Sequence, residues 1–147
     1  MKNSNIEEKV IQYCGFVIGE GFYAIPVLDV QEVVKPQVMT PIPMAQDHVR
    51  GLINLRGQIV TSISLRKLFK LQDDLEADHM NIIVKSKDSL NAFVVDEIMD
   101  VIDVHSTDIV SPPETISPQI RKYIDAVYKT EDKLILLINL ERIFKSL

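Results

Sequence analysis

Three histidines, a single cysteine and two adjacent acid pairs are the residues of this 147-residue chain best suited to covalent or metal chemistry. An active site needs a nucleophile, a base or a metal held at fixed geometry. His48, His79 and His105 lie far apart, and none stands in a metal-ligand spacing, so each reads as an isolated histidine. Cys14 sits inside a strand pattern, where a buried side chain is expected rather than a reactive thiolate. Gly19-Glu20-Gly21 lacks the spacing and following helix of a phosphate-binding loop and reads as a turn. Asp73-Asp74 and Asp96-Glu97 are neighbours in sequence, and on a strand neighbours point to opposite faces, so neither is a general acid–base pair. Asp96 reads as a cap on the turn after its strand. The pattern points away from catalysis and calls for no cofactor and no metal.

The elements that carry these residues are mostly strands. Hydrophobic residues make up 46% of the chain and charged ones 25%, an ordinary globular balance, and Trp is absent. The apolar content is therefore largely Val, Ile and Leu, and the β-branched share favours sheet. The formal net charge of −5 comes without a basic stripe, which argues against nucleic-acid binding. A lone cysteine fits a reducing compartment. The polar N-terminus is unlike a signal peptide, and no run nears the ~18 apolar residues of a span; a cytoplasmic protein without direct membrane insertion is expected. Residues 1–10 read as a flexible tail and 11–147 as one domain.

Within that domain, alternation and turn residues predict strands over 10–18 and 22–26, and apolar residues at 27, 30, 33 and 34 predict a short helical turn. Pro36, Pro41 and Pro43 make an extended connector. Strands follow over 49–57 and 58–63, then a short helix through Leu65, Leu68 and Phe69 and a polar loop over 72–78. Further strands are expected over 80–85, 90–95, 124–128 and 134–138, with a closing helix over 140–144. Many short strands with frequent turns suggest small barrels.

The two halves of the chain also resemble each other. Residues 59–69 overlay 134–144 at a constant offset of 75, placing Ile59 on Leu134, Ile63 on Ile138 and Phe69 on Phe144. A weaker match at offset 68 places Ile25 on Phe93, Val30 on Ile98 and Glu32 on Asp100. Two similar β subdomains of about 60 to 70 residues follow, each too small to bury much alone, so they should share a core.

The most informative segment is Gly51-Leu52-Ile53-Asn54-Leu55-Arg56-Gly57, a strand and turn whose glycines permit tight bends. With Phe16-Val17-Ile18-Gly19, Val30-Gln31-Glu32-Val33, Ile63-Ser64-Leu65-Arg66, Val94 through Val101 and Leu136 through Ile143, it resembles the chemotaxis coupling proteins of the CheW family, in order and over nearly the whole chain. The sequence departs from the family's common pattern at Thr61, Ser64 and Ala126, where Pro, Asp and Gly are frequent. The resemblance implies a mainly β fold: two SH3-like, five-stranded β-barrel subdomains with short helices, sharing a hydrophobic core. It implies a non-catalytic adaptor that couples transmembrane chemoreceptors to a chemotaxis histidine kinase in signal transduction. The implied partners are the kinase's regulatory domain and the cytoplasmic tip of the receptors. Carried over by motif, the coupling residues are Val27, Val30, Glu32, Gly51, Asn54 and Arg56. Glu32 and Arg56 are expected to form a charge pair at the edge of a groove. The alternatives are the same adaptor in a non-flagellar kinase pathway, or a ligand-sensing β-barrel domain.

Overall fold

The structure, a computed structural model, describes residues 8–72, 79–86 and 88–147. Asp73-Asp74 and residues 1–7 of the expected tail lie outside them. The chain runs through β1 (Val10–Ile18), β2 (Gly21–Pro26), a 3₁₀ turn (Val27–Asp29), β3 (Val30–Val34), β4 (Val49–Leu55), β5 (Gln58–Ser64) and α1 (Leu65–Leu68). It continues with β6 (Met80–Ser86), β7 (Ser89–Val95), β8 (Glu97–His105), a second 3₁₀ turn (Ser106–Asp108) and β9 (Ile109–Val110). Last come α2 (Pro118–Arg121), β10 (Ile124–Lys129), β11 (Leu134–Ile138) and α3 (Leu140–Lys145). Lys9 is fastened to the 3₁₀ turn that follows β8, since its N–H donates to Ser106 Oγ at 2.9 Å.

These strands form two sheets, ordered β8-β1-β2-β11-β10-β9 and β3-β6-β7-β5-β4. Nearly every pairing occurs twice. The β1–β2 hairpin corresponds to β6–β7, and β4–β5 to β10–β11. The parallel pair β5·β7 corresponds to β11·β2. The repeat seen in the sequence is therefore a repeat of structure. The halves of the chain are nevertheless not the lobes. β3 follows β2 but pairs with β6 in the other sheet, and β8 follows β7 but pairs with β1. Each lobe thus takes strands from both halves, and the contiguous subdomains expected from the repeat are interleaved instead.

One other expectation changes. The apolar spacing at 27, 30, 33 and 34 predicted a helical turn; only Val27–Asp29 coils, and Val30–Val34 is a strand. Its burial alternates, with Val30, Glu32 and Val34 half-buried and Gln31 and Val33 exposed. β-branched residues suit that pleat, and β6 supplies the hydrogen-bonded partner, so period two prevails over period 3.6.

Among the described residues the core has three parts. Ala24, Val104, Ile135 and Leu137 fill the first lobe. Ile53, Leu55, Val60, Ile83 and Ala92 fill the second. The largest part lies between the lobes and takes residues from both sheets, including Phe16, Ile25, Ile63, Phe93, Ile138 and Ile143. Tyr23, Phe69 and Tyr123 follow one another across it, the first pair stacked and the second tilted, with ring centroids 5.2 and 5.8 Å apart. Fully burying one such aromatic stabilises by roughly 2–3 kcal/mol, so neither lobe keeps its stability without the other.

The two copies share their helix caps as well. Ser64 Oγ accepts from the Lys67 N–H at 3.2 Å, and Asn139 Oδ1 from the Arg142 N–H at 3.0 Å, at positions 75 apart. Ser64 thus does the N-capping that Asp, common in the family at this place, would also do.

Candidate functional site

The site predicted from sequence is built around the β4–β5 hairpin. Leu55 pairs with Gln58, leaving Arg56 and Gly57 as a two-residue loop. Both take positive φ, 52° and 87°, the mark of a type I′ turn. Asn54 Oδ1 accepts from the Gly57 N–H at 2.9 Å and braces that turn. Arg56 is thereby sent out over the edge of the sheet, where its guanidinium forms an ion pair with the Glu32 carboxylate on β3.

β3 and β4 are the two outermost strands of their sheet, so this pair connects opposite edges. A flat five-stranded sheet would hold its edges some 19 Å apart, at the ~4.8 Å spacing of strands. The sheet is therefore rolled, and the second-lobe core occupies its inside. The Arg56 side chain is 67% exposed and that of Glu32 26%, so the pair lies at the rim where another protein can reach it.

Gly51 has a different task. A β-bulge falls between Val49 and Gly51, and φ at Gly51 is 152°. The connector residue Thr40 pairs there with Leu52, exchanging both backbone hydrogen bonds at 2.8 Å. A Cβ on Gly51 would stand 2.5 Å from the Thr40 carbonyl oxygen. Glycine is what lets the proline-rich connector lie against β4.

Val27 and Val30 lie on the run that carries Glu32, but they pack against the core between the lobes. Leu28, between them in sequence, is 97% exposed. The structure thus brings Glu32 to Arg56 and sets Asn54 beneath the turn that carries Arg56, while Gly51 seats the connector farther back on β4 and the two valines pack toward the seam.

That seam carries a second charge cluster that no local pattern in the sequence announces. Asp96, just past β7, receives two hydrogen bonds from the Arg66 guanidinium, at 2.6 and 3.3 Å, and a third from the Gly19 N–H at 2.6 Å. Arg66 belongs to α1 in one lobe and Gly19 to the β1–β2 turn in the other. Burial pushes the Asp96 carboxyl up. The hydrogen bonds from Arg66 and Gly19, with the charges of Arg66 and His79, outweigh it and hold the carboxyl below the ordinary range. The nearest signal in the sequence was Asp96 as a turn cap; the partner 30 residues away was not legible.

The remaining chemical residues are dispersed. His79 Nδ1 stands 3.7 Å from Asp96 Oδ1, and His105 Nδ1 is 2.8 Å from Glu8 Oε1. Cys14 is buried, which raises its thiol pKa. Among the described residues no group of three His, Cys, Asp or Glu side chains could hold a metal ion. No helix among them is long and apolar enough to cross a membrane.

Comparison with known proteins matches residues 12–147 to the model of a family described as the CheW-like domain. The chain is 35% identical over 140 residues to the chemotaxis protein CheW of Helicobacter pylori, covering 95% of this chain and 84% of that one. It is also 35% identical over 83 residues to the chemotaxis protein CheA of Bacillus subtilis, covering 54% of this chain and 12% of that protein. The crystal structure of the scaffolding protein TtCheW from Thermoanaerobacter tengcongensis superposes with a TM-score of 0.79 at 31% identity, covering 89% of this chain and 90% of that one.

Proposed function

The chain belongs to the CheW-like domain family, and from that premise we propose that it is a chemotaxis coupling adaptor, joining a histidine kinase to the tips of chemoreceptors without catalysing a reaction itself. One observation carries this reading. The likeness spans most of a CheW protein's length but only 12% of a CheA protein's. The chain matches most of an adaptor and a small part of the larger protein. A module of similar fold in the kinase can pack against this chain lobe to lobe, much as the two lobes here pack on each other.

The rim supplies a contact for the second partner. Glu32 and Arg56 are reachable, fixed by a braced turn, and carried on a rolled sheet. An exposed ion pair adds only ~0–1 kcal/mol to stability, so its value lies in orienting a partner. Val27 and Val30 would serve as small apolar anchors for a receptor helix, on which such residues recur every third or fourth position. The same chemistry serves a cytoplasmic adaptor of flagellar or other kinase pathways.

A binding assay tests this directly. The full chain is titrated separately with the kinase's regulatory domain and with a receptor-tip fragment. Saturable binding to each supports the adaptor role, and binding to neither overturns it.

A further inference from the structure

The duplication builds the two ends of the seam from equivalent parts, yet only one end is latched. At that end the Asp96 carboxylate ties Arg66 of α1 to the Gly19 N–H. The offsets of 68 and 75 carry Asp96 onto Leu28 and Arg66 onto Glu141 of α3. A leucine and a carboxylate cannot form that bond, and Leu28 is left 97% exposed. The equivalent phenylalanines differ too. Phe69 is 1% exposed, held between Tyr23 and Tyr123. Phe144, tilted against Phe93 at 6.3 Å, is only half-buried. It lines an open recess of about 440 Å³ with Lys85, Ser86, Glu141 and Lys145.

The recess borders the start of β3. Lys85 follows Val84, and Val84 is the β6 partner of Val30. Leu28 stands between Val27 and Val30 in sequence, so the uncovered end continues the run that carries both valines. A single exposed leucine is ordinary on a protein surface. Here it coincides with an aromatic whose sister residue is fully covered, at the place where the other copy builds its latch. The charges differ as well. Among the described residues neither Lys85 nor Lys145 has an acidic partner within 4 Å, although the chain as a whole carries a net charge of −5.

We propose that this unlatched end extends the receptor-docking surface: the receptor-tip helix seated on Val27 and Val30 continues past Leu28, sets an apolar side chain against Phe144 and places an acidic one beside Lys85 and Lys145. The inference rests on the adaptor reading above. A helix brings residues three and four apart onto one face, so one apolar stripe can serve the valines, Leu28 and Phe144. At the other end Asp96 and Arg66 already satisfy each other. A near-symmetric surface thereby gains a direction, which the lysines reinforce through charge.

The test is isothermal titration of the full chain with a receptor-tip fragment and, separately, with the kinase's regulatory domain. Leu28→Asp should weaken the receptor fragment about tenfold and leave the circular dichroism spectrum unchanged, because the side chain it replaces is exposed. Leu28→Asp with Glu141→Arg copies the Asp96–Arg66 pair into the open end and should weaken binding at least as much. Lys85→Glu with Lys145→Glu should also weaken it about tenfold, most at low salt. The kinase domain should bind all three variants as it binds the wild type. A wild type that does not bind the receptor fragment overturns the adaptor reading and this inference together. Wild-type binding with undiminished affinity in Leu28→Asp and in the lysine variant overturns this inference alone, and so does a loss confined to the kinase domain.

Discussion

The two lobes descend from one pattern, yet their rims are finished differently. The duplicated residues that face inward agree: Ala24 and Ala92 each fill their own lobe's core, and Ile63 and Ile138 meet in the core between them. At the rim the copies part. In the second lobe Arg56 pairs with Glu32 across the sheet edges. In the first, position 131, which corresponds to Arg56, is Glu, and Asp100 stands where Glu32 would. There the edges leave a cavity of about 560 Å³ lined by Ile98, Met99, Asp100, Asp132 and Lys133, among others. Packing of a shared core constrains both copies alike, while the rims are free to diverge toward separate tasks. The asymmetry, more than the repeat, is where a difference between the lobes' roles would be carried.

The sharpest way to break this comparison is at the matched bulges. Gly51 and Ala126 occupy equivalent places, each after a register shift in its hairpin. Only Gly51 has backbone pressed on it, with the Thr40 oxygen 2.5 Å from a would-be Cβ and φ at 152°. Gly51→Ala is expected to cost about 3 kcal/mol or more, through backbone strain and displacement of the connector. Ala126→Gly should cost about 1 kcal/mol, chiefly in chain entropy. Urea denaturation of both variants checks this, and equal losses would show that the connector does not distinguish the lobes.

Next comes the seam, which belongs to both lobes. Asp96→Asn removes the charge that Arg66 and Gly19 bind, an expected loss of about 2–3 kcal/mol at neutral pH. Folding lowers the Asp96 pKa, so its contribution is fully present above the unfolded value near 3.9. It fades as pH falls through the lower folded value. The wild type should therefore lose this increment only below about pH 4, and Asp96→Asn should lack that part of the acid dependence. Both lobes should unfold in one transition in either protein; two separate transitions would show that the seam does not couple them.

How far this was legible in the sequence follows from the range of each interaction. The hairpin at Asn54 through Gly57 was readable because a type I′ turn is local and glycine at its second position is diagnostic. The paired strand-to-helix units were readable because they repeat at a fixed offset. Interleaving was not, since β3 and β8 leave their own hairpins for partners that only the assembled sheet supplies. The Asp96–Arg66 contact was hidden for the same reason: neither residue's neighbours in sequence announce the other. Glu32 and Arg56 were paired in advance only through family resemblance, because edges of a rolled sheet meet in space and not in sequence.

A smaller effect separates equivalent apolar residues. Val30 and Ile98 correspond at offset 68, and both are partly buried against the shared core. Truncating either to Ala should cost about 1 kcal/mol of stability, less than a fully buried site. If the second lobe's edge is the receptor-facing one, only Val30→Ala weakens a receptor-tip fragment's binding, while Ile98→Ala and Lys35→Ala leave it near wild type. Isothermal titration of the three variants decides, and equal weakening by all three would mean that neither lobe's edge is favoured.

The smallest effect on folding should accompany a large one on signalling. Arg56→Ala gives up an ion pair whose cationic member is 67% exposed, so solvent screening leaves ~0–1 kcal/mol to lose. The turn beneath it persists, because Asn54 and Gly57 supply its geometry. Receptor-dependent control of kinase activity should nevertheless drop sharply in reconstituted assemblies. Glu32→Ala should act in the same direction, and the double variant should be little worse than either alone if the two charges work as one unit. Glu131→Ala, at the corresponding place in the first lobe, should leave that control unchanged. Normal coupling by Arg56→Ala, or unfolding of it, would remove the rim pair from the mechanism. An equal defect in Glu131→Ala would show instead that the lobes contribute symmetrically.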